Sequence, residues 1–292
     1  MEGLIFAILS PVFSSVSTIF KGQALKYLDP FTVLAFGSFL GAIITFMIMT
    51  ARGQRIDFKK IKTHKKDLIL LILTRGIAAD LIFTIGLSLS TGIKAVFFTK
   101  AEPYFVLLWM WILAREKIKG EYLFLLLVHI AGAILLSSGS LSFSFGVSQF
   151  GDFLILFALL LTSFSYFSAA KIVNQLGALQ SNTIMLLISG VVFLPMAIFF
   201  SDKSQYSNPT GWTLLTIQAI MWNGLALTFW FASLKTVKGW IASSIRSLGP
   251  LVSAPFAYFF FRESLNNVQI IGGVIVLVTS FLIAREHLRK KH

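Results

Sequence analysis

Apolar residues fill this chain in runs of about twenty, parted by short polar seams. A run of ~20 residues matches the ~30 Å hydrocarbon core of a bilayer when it is helical. The runs are continuous, not alternating, so they predict helices and argue against a β-barrel. Ten spans follow, at about 3–26, 31–50, 68–89, 92–113, 120–139, 150–173, 182–200, 212–234, 240–261 and 267–285. Only two connections are long and polar, 51–67 and 201–211. The pattern predicts an all-α polytopic membrane protein. Composition agrees: 56% of residues are hydrophobic and only 13% charged, too few to clothe a soluble protein of 292 residues.

The formal charge of +13 raises the question of nucleic acid. Its distribution answers no. Lys and Arg gather at span ends and in the loop ARGQRIDFKKIKTHKKD, with Arg52, Arg55, Lys59, Lys60, Lys62, Lys65 and Lys66. With both termini placed inside, the inner connections far outweigh the outer ones, which hold Lys21, Lys26, Lys203 and Arg262. The positive-inside rule then predicts a cytoplasmic membrane protein with both termini cytoplasmic. The basic loop reads as an orientation signal, or as a patch for anionic lipid. MEGLIFAILS lacks a basic n-region and a cleavage site, so it is expected to be a retained first span. There is no Cys, hence no disulfide or thiolate metal site.

The chain resembles itself. GIKAVFFTKAEPYFVLLWMWILAREKI and GWIASSIRSLGPLVSAPFAYFFFRESL align at an offset of 147. Gly92 meets Gly239, Pro103 meets Pro250, Arg115 meets Arg262 and Glu116 meets Glu263. The expected units are 1–145 and 146–292, five spans each. Five is odd, so the second unit enters the membrane inverted. A 5+5 inverted-topology repeat is the plan of many secondary transporters, with the site near the midplane.

The doubled motif of mid-span Pro, Glu thirteen residues on, then Gly (Pro103, Glu116, Gly132; Pro250, Glu263, Gly272) resembles the drug/metabolite transporter superfamily and its EamA-type members. Each half lacks one of the two glycines such members carry. The resemblance implies a cavity ringed by spans 3, 4, 8 and 9 with parts of 1, 2, 6 and 7. Spans 5 and 10 would lie outside, and small metabolites would move by alternating access. It also implies that Glu116 and Glu263 are span-end caps. The first-span glutamate that couples protons in the small four-span members is missing, since no acidic residue lies between Glu2 and Asp29.

Ionisable groups inside spans cost ~2.5–3.5 kcal/mol on insertion scales and mark function by default. Here they are Arg75, Asp80, Lys100, Glu102 and Arg246, with Lys94 nearer a span end. At ~1.5 Å per residue, Asp80 and Lys100 lie at similar depths, roughly 12–13 Å below the outer surface, and are expected to pair. Arg75 and Arg246 lie deeper, about 22 Å from outside. Lys100 and Glu102 are two apart and should point to nearly opposite sides of their helix. Pro103 removes the amide that would bond the Thr99 carbonyl, and Pro250 does so for Arg246. These are packing kinks, or hinges with exposed carbonyls.

The expected substrate site is Arg75, Asp80, Lys100, Glu102, Tyr166, Trp222, Asn223 and Arg246, with Pro103 and Pro250 as hinges. Asp80 and Glu102 are the candidate proton carriers. Ser15 with Thr18, and Ser165 with Ser168, share helix faces and read as ligands or as close-packing residues. Gly37 and Gly41 read as helix packing, Trp212 and Trp240 as interfacial anchors, and His129 as a packing group or a proton site.

No HExxH, GxSxG or P-loop is present, so no enzyme and no cofactor is expected. Asp80 and Glu102 lack the glycine-flanked setting of an intramembrane aspartyl protease. The expected partners are a small-molecule substrate, membrane lipids, and protons or a counter-substrate, without nucleic acid. Mixed charge favours an amino acid or similar zwitterion as cargo. An organic-anion or phosphorylated-metabolite exchanger, a membrane scaffold and a lipid flippase are the alternatives.

Overall fold

The computed structural model describes residues 2–115, 120–138, 146–237 and 249–289. These are helical with no strand among them. Seven helices are long and apolar enough to cross a membrane, and three shorter apolar ones, Phe124–Ser138, Val252–Phe261 and Asn267–Thr279, complete the ten. We label the units α1 (Glu2–Ala24), α2 (Pro30–Ala51), α3 (Lys65–Leu89), α4 (Gly92–Phe98 continued by Glu102–Ala114) and α5 (Gly120–Ser138). The second half has α6 (Val147–Phe164 continued by Tyr166–Leu176), α7 (Ala178–Phe200), α8 (Pro209–Ser233), α9 (Gly249–Phe261) and α10 (Asn267–Arg289). The face holding the start of α1 is called the near face, and the other the far face.

Local chemistry sets the helix starts. Asp29 accepts from the amides of Phe31 and Thr32 at 2.9 and 3.0 Å, and Pro30 opens α2 without an amide to satisfy. Asn208 and Pro209 repeat the device at α8, with Gly211 donating at 3.1 Å. Glu263 accepts from the Ile93 amide at 3.0 Å, at the start of α4, and from Gln23 Nε2 at 2.7 Å. A carboxylate suits this positive helix end. Glu116 lies outside the described residues.

The offset of 147 returns in the backbone. α3 carries a π-helical segment at Ile72–Ala79 and α8 one at Ala219–Ala226. Arg115 and Arg262, where α4 and α9 end, both take left-handed φ, 54° and 55°. Packing follows a pseudo-twofold scheme: α1 lies on α8 as α3 lies on α6, while α2 crosses α7 and α5 crosses α10.

Glycines set the closest crossings. Gly132 of α5 and Gly272 of α10, the motif glycine kept in each half, face one another. A Cβ on Gly272 would sit 2.5 Å from the Leu136 amide nitrogen and 2.6 Å from the Gly132 carbonyl oxygen. Both obstacles are backbone, so neither can rotate aside. Gly272→Val is expected to destabilise the protein by about 1–3 kcal/mol or more. A thermal melt in detergent, with Gly120→Val as the open-space control, checks this.

Candidate functional site

A cavity lies at the centre, walled by α1, α2, α3, α4, α6, α7 and α8. On its near-face side packs a cluster including Leu71 and Ile72 of α3, Tyr166 and Ile172 of α6, Met185 of α7 and Trp230 and Phe231 of α8. Its wetter end lies toward the far face. The Asp80 side chain there is 25% exposed, whereas deeper in, Lys100 is 3% and Glu102 0% exposed.

Arg75, Asp80, Lys100, Glu102, Trp222 and Asn223 all line this cavity. The expected Asp80–Lys100 pair is not what forms. Asp80 Oδ1 takes Lys21 Nζ at 2.8 Å. Lys21 had been placed in the outer connection, but it belongs to the last turn of α1 and is buried. A level along the span does not by itself say which neighbouring helix faces Asp80. Lys100 reaches toward α1 and α9, where a Cβ on Gly249 would lie 3.2 Å from its Nζ. Gly249 is the repeat counterpart of Glu102.

Lys100 and Glu102 were expected on opposite sides of one helix, yet both line the cavity. The reason is a 3-10 turn at Thr99–Ala101, directly before Pro103. With 3.0 instead of 3.6 residues per turn, residues two apart come ~40° closer around the axis. The same turn answers the carbonyl question. Thr99 accepts from the Glu102 amide, so its oxygen is not left bare. Pro103 thus shapes α4 as a break, not as an exposed carbonyl ligand. Pro250 is the second residue of α9; Arg246, its carbonyl and Trp240 lie outside the described residues.

Tyr166 supports the site from behind. α6 breaks at Ser165, and Tyr166 opens its second half. Its hydroxyl donates to Glu102 Oε1 at 2.7 Å, and its ring meets Trp230 edge-on at 4.8 Å. The Arg75 guanidinium lies 4.1 Å from the Trp230 ring centre. A desolvated contact of this kind is worth ~2 kcal/mol. Carboxylate, phenol, indole and guanidinium therefore form one buried floor.

Asn223 turns out to hold helices together. Its Nδ2 donates to the Gly37 carbonyl at 2.7 Å, and a Cβ on Gly41 would come within 2.3 Å of its own Cβ. Gly37 and Gly41 thus admit α8 against α2. Asn182 of α7 donates at 2.7 Å to the Asn223 carbonyl, satisfying an acceptor within the π segment. Ser15 and Thr18 line the cavity, while Ser165 and Ser168 do not and donate to carbonyls of their own helix. His129 sits away from the cavity, with Nδ1 2.9 Å from Thr279 Oγ1. Trp212 Nε1 donates to the Tyr206 carbonyl at 2.8 Å, in the 201–211 region.

Three polar features escaped the sequence reading. Ser189 Oγ and Gln218 Oε1 are buried in the cavity wall with no hydrogen-bond partner among the described residues. The third lies elsewhere. Lys94 Nζ meets Asp152 Oδ2 at 3.1 Å and Ser148 Oγ at 2.9 Å, and Ser137 and Ser90 both donate to Asp152. This buried pin ties α3, α4, α5 and α6 at the far face. Lys94 was visible within a span; Asp152, in the first turn of the expected span 150–173, was passed over.

The profile of one family, the EamA-like transporters, matches the chain twice, over residues 1–138 and 149–285. The chain belongs to the EamA-like transporter family. Similar proteins carry transporter names. The uncharacterized transporter YetK of Bacillus subtilis is 24% identical over 73% of this chain and 69% of its own. An uncharacterized transporter of Clostridium kluyveri is 25% identical over 96% and 92%. The pseudopaline exporter CntI of Pseudomonas aeruginosa is 20% identical over 97% and 96%. A solved crystal structure superposes with a TM-score of 0.73 at 13% identity, covering 97% of this chain and 98% of the other, which shows the shared fold. As an EamA-like protein the chain is a multi-pass membrane protein of a transporter family. Its cavity is walled by α3, α4 and α8 with parts of α1, α2, α6 and α7, and α5 and α10 pair outside it.

Proposed function

We propose that this EamA-like protein is a secondary transporter of the cytoplasmic membrane that moves a small zwitterionic metabolite, of the amino-acid kind, by alternating access. Both termini are cytoplasmic in this reading, because the basic 51–67 loop lies on the near face. The observation that carries it is the central cavity: buried, polar, at the interface of the repeats, and lined by charges of both signs. A zwitterion presents one group to Lys100 and Arg75 and another to Glu102. Ser189 and Gln218 add neutral contacts. An apolar cluster packs on the near-face side of the cavity, which would suit one end state of an alternating cycle. The described lining also favours a second reading. Lys21, Arg75 and Lys100 stand against Asp80 and Glu102, a cationic excess that suits an organic-anion or phosphorylated-metabolite exchanger.

A thermal-shift screen of metabolites on purified protein tests the proposal. Zwitterions are expected to raise the melting temperature of the wild type, and less so Glu102→Gln and Lys100→Met. Stabilisation by anions alone would favour the exchanger reading, and an equal response from all three proteins would remove the site assignment.

A further inference from the structure

A second recess lies outside the central cavity, between α4, α5 and α6. α5 packs on α10 through the Gly132–Gly272 crossing and touches α6 little, so a furrow with an empty volume of about 1820 Å³ opens at their junction. Buried Tyr104 and His129 form its floor, their rings 4.5 Å apart. Its rim carries Trp111, Ile130, Ile134 and Phe153, all exposed apolar side chains. Besides the Tyr104 and His129 rings on the floor and the Trp111 indole on the rim, its polar groups gather at the far face, where Ser137, Gln149 and Asp152 line it.

We propose that this furrow binds one acyl chain of a membrane phospholipid from the far-face leaflet, with the headgroup at the Ser137–Gln149 end. Three observations point to that occupant. The first is the distribution of polarity, which suits a lipid: apolar side chains along most of the length, interrupted by the buried Tyr104–His129 pair, and a cluster of polar groups at the interfacial end. The second is length. From Leu126 to Ser137 along α5 the furrow runs roughly 16 Å at ~1.5 Å per residue, about half of the ~30 Å hydrocarbon core, which is the depth of one leaflet. The third is charge. At the polar end Lys94 and Asp152 neutralise one another at 3.1 Å, so the chain, not the headgroup charge, is what the furrow selects. Left unfilled, the apolar walls would forfeit dispersion contacts along this whole length.

The site has a consequence for α4. Ala101 and Tyr104, on either side of Glu102 and Pro103, both line the furrow. A bound chain therefore buttresses, from the lipid side, the break that carries Lys100 and Glu102 on its cavity side. Between its two ends the furrow offers only the buried Tyr104–His129 pair among apolar side chains, so it holds a chain without offering a charged headgroup a path across the membrane.

The full-length protein in phosphatidylcholine nanodiscs, doped with a phosphatidylcholine bearing a diazirine in mid-chain, provides the test. After irradiation, peptide mapping is expected to find Trp111, Ile130 and Phe153 labelled roughly tenfold above the more exposed Phe199 and Phe259, the preference a modest specific affinity gives. Ala133→Trp fills the furrow and should abolish that excess while leaving Phe199 labelling unchanged. Ile134→Trp, on the rim, serves the same purpose should Ala133→Trp fail to fold. Even labelling over all exposed apolar residues would overturn the proposal. So would furrow labelling that survives the filling variant, or labelling by a diazirine fatty acid but not by the phospholipid.

Discussion

Glu102→Gln is expected to cut transport by tenfold or more while leaving the fold intact. Gln keeps the shape, and its Oε1 can still accept from Tyr166, now at 2.7 Å from the carboxylate. What disappears is the negative charge at the deepest point of the cavity wall. An interaction with a charged partner is worth ~1.5–3 kcal/mol, which is a factor of ten to more than a hundred in flux or affinity. Among the described residues the lining would then hold three cations, Lys21, Arg75 and Lys100, against Asp80. Flux measured beside a melting curve separates the two effects. Wild-type flux in Glu102→Gln would make Glu102 a scaffold residue. Lost flux with a collapsed melt would make the loss uninformative about charge, and Tyr166→Phe, which keeps the carboxylate, then shows whether transport survives a perturbed floor.

The largest loss of stability is expected at the far-face pin. Asp152→Ala strands the Lys94 ammonium, whose side chain is 8% exposed, and removes the acceptor of the Ser137 and Ser90 hydroxyls. Breaking a buried pair from one side costs about 3–5 kcal/mol. Replacing both partners, Lys94→Met with Asp152→Leu, should recover most of that, since an apolar pair of similar volume needs no compensation. Lys21–Asp80 is the contrast: Asp80 faces the cavity and is partly wet, so Asp80→Ala should cost less. Denaturation of the four proteins in one detergent checks the order. A double variant no better than Asp152→Ala would mean that the serine network, not the charge pair, holds the four helices.

Much of this was legible in the sequence, for definite reasons. The spans follow from length and hydropathy, because a bilayer admits few alternatives to a continuous apolar helix. The repeat was legible because Pro, Gly and the Arg-Glu pairs sit where backbone geometry is special. Arg115 and Arg262 end their helices in the left-handed region, and Gly132 and Gly272 meet at a crossing too close for a side chain. The π segments were not legible: ILTRGIAA and AIMWNGLA carry no local signal that separates them from an α-helix.

The site was legible as a set and less so as a wiring. Charges inside spans had to face an interior, and six of the eight expected residues line one cavity, with Tyr166 just behind. Their partners depend on the rotation of each helix about its axis. The apolar-all-round helices leave that rotation unwritten, so Lys100 was paired with Asp80 where Lys21 belongs. Lys21 was missed because a cation near a span end usually snorkels outward; here it turns inward beside the Phe83 ring, 5.8 Å away. Asn223, which lines the cavity and also holds α8 to α2, was only half legible for a related reason. An amide in a span needs partners, but the sequence does not say whether substrate or a neighbouring carbonyl, here Gly37, supplies them.

Transport itself is the most direct test. Purified protein should be reconstituted into liposomes, and uptake of the metabolite that most raises its melting temperature followed with and without an imposed pH gradient. The account predicts saturable uptake by the wild type, near-background uptake by Glu102→Gln, and a response to the gradient if Glu102 or Asp80 carries a proton. Wild-type flux equal to that of empty liposomes, under every gradient tried, would contradict it and leave a membrane scaffold in its place.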